Sequence, residues 1–374
     1  MRVLIAGGGT GGHLYPGIAL ARELLRRDPA TQIVFVGTAQ GIEARVVPRE
    51  GFRLDLIRVA GLKGKSGADR LRGFLLLPVA AIDAWRLISR HAPDVVVGVG
   101  GFASGPVLAL ASVRGYQTML LEQNALPGIT NRLLAPLVRA AAVNFEEALR
   151  YFPRTGFVAG NPVRPEFFQA NNKESNDHDD RPRTAARVLI FGGSQGAHAI
   201  NVAMVAAASR LAATGLRLAI THQTGERDLD LVRTAYQRAE IAARVEAFIF
   251  EIDGEMKAAD LVICRAGATT LAELTAAGRP AILVPLPTAT DDHQRKNAEV
   301  LARAGAALVV EERDLSGEQL AAAIGGLVAN SEARLRMAAA ARKLARPDAA
   351  ERIADRVEQL ASRLGSRQGG RRAG

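Results

Sequence analysis

Cysteine is nearly missing from this chain: Cys264 is the single one among 374 residues. One thiol excludes an internal disulfide and any zinc site built from clustered cysteines, and it points to a reducing compartment. Aromatic residues are also scarce, at 5%. No basic run is interleaved with them, so a stacking platform for single-stranded nucleic acid is excluded. No apolar run approaches the roughly 20 residues that a membrane-spanning helix needs. Met1 to Ala6 passes directly into a strand-like segment and then glycines, which predicts no signal peptide. What is there is a globular composition, 48% hydrophobic and 23% charged, in a chain long enough for two domains. The net charge of +10 and a pI near 10.4 call for an anionic partner. Without stacking aromatics, a phosphorylated substrate at a membrane surface fits that charge better than nucleic acid does.

Glycine-rich turns punctuate the rest. Arg2 to Ala6 reads as a strand, Gly7-Gly8-Gly9-Thr10-Gly11-Gly12-His13 as a turn, Tyr15 to Arg27 as a helix and Ile33 to Gly37 as the next strand. Gly7, Gly9 and Gly12 formally satisfy the dinucleotide fingerprint. The second strand, however, ends Gly37-Thr38-Ala39-Gln40, without the acidic residue that would hold an NAD ribose. The turn is therefore read as a place where a ligand approaches backbone closely. Strand, helix and strand recur at Arg53 to Arg58, Asp69 to Arg90 and Asp94 to Gly98, followed by a second glycine loop, Gly98 to Phe102. Thr118 to Leu121 leads into Glu122-Gln123-Asn124, and Ala140 to Asn144 is expected to close the first sheet.

Gln169 to Arg183 carries almost no apolar residues and predicts a mobile, exposed segment at or just past a domain boundary. The pattern restarts with a strand, Arg187 to Phe191, the loop Gly192-Gly193-Ser194-Gln195-Gly196 and a helix, Ala197 to Ala213. Further strands are expected near Leu216, Val245, Leu261, Ala281 and Ala307, and Ser316 to Leu364 reads as helical. The fold class is α/β, with two Rossmann-like domains facing a cleft. Their expected bounds are 1–164 and 165–345, with 346–374 a C-terminal helix and a basic tail whose end, Ser366 to Gly374, is assigned no fold.

Leu261 to Ala298 organises the chemistry. Thr270 is followed three residues later by Glu273, and Asp291 by Gln294, so each pair matches a capping box at a helix start. A helix start above the carboxyl edge of a parallel sheet also suits a phosphate or a nucleotide ribose. Glu273 is thus either a capping residue or a ribose ligand, and Gln294 faces the same choice. Ser194 lies where a helix dipole favours an anion, or simply completes a tight turn. Asp291-Asp292-His293 cannot converge on one ion from adjacent positions, so no metal is expected. His13 and Glu122 both read as candidates for a general base.

Together GGGTGGH at 7–13, GVGGFASGP at 98–106, EQNALPGITN at 122–131, GNPVR at 160–164, GGSQGA at 192–197, CRAGATTLAEL at 264–274 and DDHQRKNA at 291–298 resemble the MurG family. Its members are UDP-N-acetylglucosamine:lipid I N-acetylglucosaminyltransferases of peptidoglycan synthesis. The resemblance spans residues 1 to about 345 and preserves motif order. It implies the glycosyltransferase B fold, an N-terminal acceptor domain and a C-terminal donor domain, with UDP-GlcNAc as donor substrate and no cofactor. It places uracil near Phe248 and Ile249, ribose on Glu273, and sugar and ribose along Ala268, Thr269 and Thr270. Ser194 would contact phosphate and Gln294 the sugar. Thr10, Gly11 and Gly12 would close on the donor, with Asn124 and Arg164 reaching in from the first domain and the interdomain region. Where many members read Phe-Ile-Asp-Asp-Met, this chain reads Phe248-Ile249-Phe250-Glu251-Ile252, so Ile252 replaces the Met that covers the ribose carboxylate.

The resemblance also implies lipid I as acceptor and an anionic membrane surface as partner, at the cytoplasmic face of the inner membrane. It leaves room for other cell-wall synthesis proteins as partners, and not for nucleic acid. Apolar Phe74 to Leu77 follows Lys63, Lys65, Arg70 and Arg72 closely, a pairing suited to interfacial docking. The rivals are a UDP-sugar epimerase or another lipid glycosyltransferase on the same fold, and a nucleic-acid-binding protein suggested by charge alone.

Overall fold

The computed structural model describes residues 1–59, 67–168, 185–193 and 196–372, with the side chains of 67–75, 77 and 364–372 outside that description. Ser194, Lys63, Lys65 and the segment Gln169 to Arg183 lie outside the described residues, as do the side chains of Arg70, Arg72, Phe74, Leu75 and Leu77. The chain divides into two compact units, Met1–Val163 with Asp348–Gly374, and Arg164–Pro347.

In the first unit, short β-branched and Leu-rich runs form parallel strands separated by helices. The order is β1 (Arg2–Gly7), α1 (Gly11–Arg27), β2 (Gln32–Gly37), α2 (Glu43–Arg49), β3 (Arg53–Leu56), α3 (Gly67–His91) and β4 (Val95–Gly100). Then come α4 (Ser104–Val113), β5 (Gln117–Glu122), α5 (Ile129–Leu134), β6 (Ala140–Val143) and β7 (Gly156–Val158). Among the described residues they make one sheet, ordered β3-β2-β1-β4-β5-β6-β7. All pairings are parallel. β7 extends the sheet past the strand expected to close it. It spans only three half-buried residues, too few to register as an apolar run. The sheet order reverses between β1 and β4, so the loops that follow those strands emerge side by side, the usual position for a ligand in an open parallel sheet.

The second unit repeats the plan with β8 (Ala186–Phe191), α6 (His198–Ala213), β9 (Leu218–Gln223), α7 (Leu229–Arg238), β10 (Ala242–Glu246), α8 (Ile252–Ala258) and β11 (Leu261–Cys264). It continues through α9 (Ala268–Ala277), β12 (Ala281–Leu283), α10 (His293–Arg303), β13 (Ala307–Val309), α11 (Gly317–Ala329) and α12 (Ser331–Leu344). Its parallel sheet is ordered β10-β9-β8-β11-β12-β13 and reverses between β8 and β11. Phe191 and Cys264 are register partners at the carboxyl ends of those two strands, so the Gly192–Gly193 turn and the Gly267–Ala268 helix start leave neighbouring strand ends.

The last helix, α13 (Ala349–Arg372), belongs to the first unit, and it continues through the stretch expected to have no fold. Ile353, Ala354, Val357 and Leu360 join Val3, Ile5, Leu14 and Leu24 in one buried cluster. Burying each large aliphatic side chain contributes about 1.5–3 kcal/mol. Arg27 of α1 adds ion pairs to Asp355 at 2.7 Å and Glu358 at 3.0 Å. The two carboxylates are largely exposed, so those pairs orient the helix more than they stabilise it.

Beneath the loop after β8, His222 is fully buried between Tyr236 and Asn201. Asn201 spends its amide N–H groups on Thr224 O (2.9 Å) and Asp228 Oδ2 (2.8 Å). Its Oδ1 therefore accepts from His222 Nε2 at 3.1 Å, and His222 Nδ1 accepts from the Tyr236 hydroxyl at 2.9 Å. Burial pushes His222 down to about 3, against the opposing charge of Asp228, so the ring is neutral. This network holds Thr224, whose carbonyl oxygen would stand 1.9 Å from a Cβ at Gly196. Only glycine fits there, at φ +74°.

Candidate active site

In the first unit the N-terminal glycine loop is braced by a residue that the sequence reading missed. Glu43, 1% exposed, accepts from Gly9 N at 2.7 Å through Oε2, and from Thr38 N and Oγ1, each at 2.9 Å, through Oε1. A Cβ at Gly8, Gly37 or Gly41 would lie 2.4, 2.4 or 2.0 Å from this side chain. The three glycines therefore make room for a buried carboxylate, and the carboxylate holds the loop. Gly37 and Gly41 shortly before an acid were the available signal. Thr10 is the N-cap of α1, extended at φ −134° and ψ 158°, and makes no side-chain cap bond. Thr10 is exposed, and Gly11, Gly12 and His13 are half-buried at the helix start.

His13 and Glu122 sit in very different surroundings. Glu122, 2% exposed, accepts from Asn124 N at 2.9 Å and Asn124 Nδ2 at 3.2 Å on Oε1, and from Asn131 Nδ2 at 2.8 Å on Oε2. Burial raises its pKa, and these bonds together with one from Gly128 N oppose that rise. With both oxygens engaged, Glu122 ties Asn124 and α5 to the end of β5. Asn124, expected to reach the donor, turns its amide N–H toward that anchor. His13 Nδ1 lies 3.1 Å from Gln123 Oε1.

In the second unit neither expected capping box forms. The N-cap of α9 is Gly267, at φ −66° and ψ 139°, which puts Thr270 inside the first turn. α10 starts at His293 with Asp292 as N-cap, and Asp291 and Asp292 both take left-handed backbone at φ 55° and 57°. Gln294 points elsewhere: its Oε1 accepts from Ala266 N at 3.2 Å and Leu286 N at 3.0 Å. It thereby ties the loops after β11 and β12 together.

Glu273 lies on α9 nearly two turns past Gly267, beyond the buried Ala268 and the half-buried Thr269 and Thr270. Among the described residues no hydrogen bond or ion pair engages its carboxyl. It is partly exposed by surface area, yet protein atoms crowd the carboxyl, and that burial pushes its pKa up to about 7. The charge of Arg164 opposes the rise and that of Asp253 adds to it. Arg164 itself stacks over Phe167, 5.1 Å from the ring centre. Gln223, also missed, bridges two further parts: Nε2 donates to Gly193 O at 2.6 Å, and Oε1 accepts from Ile249 N at 2.9 Å. Ile249 is buried, and with its N–H engaged it can offer a base only its carbonyl. Phe248 is 43% exposed beside it and packs edge-on against Phe250. Among the described residues no group of three His, Cys, Asp or Glu could hold a metal ion.

Residues 3–143 match the N-terminal domain of glycosyltransferase family 28, and residues 187–353 match the C-terminal domain of that family. The crystal structure of Acinetobacter baumannii MurG superimposes with a TM-score of 0.79 at 29% identity, covering 96% of this chain and 99% of that one. A protein of Anaeromyxobacter dehalogenans is 50% identical over 354 residues, 94% of this chain and 91% of its own length. It is named UDP-N-acetylglucosamine–N-acetylmuramyl-(pentapeptide) pyrophosphoryl-undecaprenol N-acetylglucosamine transferase. This chain belongs to the MurG family. A namesake from Pelobacter propionicus is 47% identical over 94% of the chain. The two parallel-sheet units are thus the two halves of a MurG-family glycosyltransferase B fold, as the motif order implied. Family membership disposes of the dehydrogenase and DNA-binding readings, since both halves match a glycosyltransferase.

Proposed function

We propose that this enzyme moves GlcNAc from UDP-GlcNAc to the 4-hydroxyl of MurNAc in lipid I, with inversion, forming lipid II for peptidoglycan synthesis. The observation that carries the reading is that relatives named for this transfer match at 50% identity across 94% of the chain. In the second unit, uracil meets the Ile249 carbonyl beside Phe248, and the two ribose hydroxyls donate to the unpartnered Glu273. The sugar runs along Ala268, Thr269 and Thr270 toward the Gln294 amide. The pyrophosphate takes the start of α6, with Ser194, four residues before it in the sequence, as its side-chain contact, and Arg164 adds charge near Glu273. These fixed dipoles stabilise the departing UDP without a metal or cofactor. In the first unit, the Thr10-Gly11-Gly12 loop and Asn124 bound the acceptor side. His13 takes the proton as the acceptor oxygen attacks the anomeric carbon. The C1–O bond to the β-phosphate breaks as the new β-glycosidic bond forms, and the electron pair leaves with UDP.

Labelled UDP-GlcNAc should give labelled disaccharide lipid only when a lipid I analogue is present. Conversion of the donor without acceptor would instead favour an epimerase.

The enzyme docks peripherally on the cytoplasmic face of the inner membrane, where other cell-wall synthesis proteins are accessible to it. Among the described residues no helix is long and apolar enough to cross a bilayer. On α3, Ile82 and Trp85 are 51% and 52% exposed, and the Arg114 guanidinium lies 4.1 Å from the Trp85 ring centre. An apolar surface bordered by cations suits an anionic interface. An Ile82→Glu, Trp85→Glu double variant should stop pelleting with phosphatidylglycerol vesicles while keeping activity on a water-soluble acceptor. Undiminished pelleting would remove this face from the docking surface.

A further inference from the structure

We infer that Gln123 is a positioning residue for His13, holding the imidazole as the Nδ1–H tautomer so that Nε2 presents the basic lone pair. The inference rests on the reading of His13 as the base. Gln123 is 2% exposed, and its backbone and side chain are both tied. Asn144 Nδ2 donates to its carbonyl at 3.1 Å, and its own Nε2 donates to Val99 O at 3.1 Å. The second bond decides which way the amide points, because a flipped amide would set Oε1 against the Val99 carbonyl, two acceptors facing one another. Oε1 therefore faces His13 Nδ1, at 3.1 Å. An amide oxygen only accepts, so Nδ1 must carry the hydrogen, and in the neutral ring Nε2 is the basic nitrogen.

The ring is confined as well as oriented. A Cβ at Gly100 would stand 2.5 Å from His13 Nδ1 and 2.9 Å from its Cε1, and Gly100 holds φ +97°. The absent Cβ of Gly100 thus leaves the space above the ring face at Nδ1 that the imidazole needs, and Gln123 sets the ring's rotation there. Strand order makes the arrangement possible. β4 lies between β1 and β5, so α1 after β1, Val99–Gly100 at the end of β4 and Gln123 just past β5 share one edge of the sheet. A neutral amide does this without placing a negative charge on the ring, unlike the carboxylate that orients histidine in a hydrolase triad.

Nitrogen-15 spectra of imidazole-labelled enzyme, recorded above the titration of His13 and assigned with His13→Ala, read the tautomer directly. The wild type should show a protonated Nδ1 and an unprotonated Nε2 at His13. An Nε2–H ring in the wild type overturns the inference without any variant having to fold. In Gln123→Leu the signal should move to the tautomer mixture of a free imidazole, and kcat should fall roughly 10²-fold with donor KM unchanged. Gln123→Glu, whose buried carboxyl in its protonated form keeps both an acceptor for Nδ1 and a donor to the Val99 carbonyl, should retain kcat within about tenfold of wild type. If both variants lose kcat equally while the wild-type tautomer persists in each, Gln123 acts through packing alone and the inference is wrong. The base assignment fails separately: undiminished kcat in His13→Ala removes it, whichever tautomer the ring adopts.

Discussion

A Glu273→Gln enzyme should melt at a higher temperature than wild type and use its donor worse. The carboxyl is crowded and has no hydrogen-bond partner among the described residues, and burial holds it at about 7 against an ordinary value of 4.5. A carboxyl whose folded pKa lies above its unfolded one contributes stability below pH 4.5, and that contribution is lost as pH rises through 7. At pH 8, ionised Glu273 should cost roughly 2 kcal/mol, after a discount for the solvent that reaches its helix face. The Gln variant recovers that amount as a rise of a few degrees at pH 8, and the gain should vanish near pH 4. Donor binding runs the other way, because a carboxylate accepting from two ribose hydroxyls is the ionised form. Wild-type donor KM should therefore fall as pH rises through 7, while the variant should show a flat profile. Each charge-assisted bond contributes about 1.5–3 kcal/mol, so KM should rise roughly 10–100-fold and discrimination of UDP from the deoxyribose nucleotide TDP should shrink. Differential scanning calorimetry and initial rates at several pH values check both halves. Unchanged nucleotide discrimination would take Glu273 out of the ribose site.

His13→Ala should lower kcat by about 10²–10⁴-fold, the usual contribution of a positioned general base. Affinity for UDP, measured by calorimetry, should be unaffected, because the groups proposed for uracil, ribose and pyrophosphate belong to the second unit. Glu122→Gln separates the two original base candidates. It places an amide N–H₂ against a donor, either Asn131 Nδ2 or the Asn124 pair, and should cost about 1–3 kcal/mol of stability. A base would instead lose kcat at unchanged stability. Loss of kcat in Glu122→Gln with an unaltered urea midpoint, beside an active His13→Ala, would reverse the assignment.

Glu122 and Glu273 also mark the limit of what could be read in advance. Glu122 ends a buried strand and Glu273 lies in the helix after one, and neither position by itself shows whether the carboxylate is taken up by the protein. Glu122 is satisfied by Asn124, Gly128 and Asn131, which a turn and a helix bring back to it, whereas nothing among the described residues bonds Glu273. The expected capping boxes failed for a related reason. Thr270 and Asp291 carry suitable side chains, but Gly267 and Asp292 hold the N-cap positions, and Gln294 is diverted to two loop amides. Glu43 escapes a local reading because its partner Gly9 follows a different strand, β1, 34 residues away.

Sequence alone determined the alternation of strand and helix, the two parallel sheets and the glycine turns at their edges. Those properties depend on neighbouring residues: apolar runs that bury on both faces, and backbone angles that only glycine adopts without strain. Tertiary structure decided which unit receives the C-terminal helix, which carboxylate has no hydrogen bond among the described residues, and which nitrogen of His13 faces Gln123. Each of these depends on hydrogen-bond partners and packing surfaces many residues away, set by the order in which strands line up in the sheet.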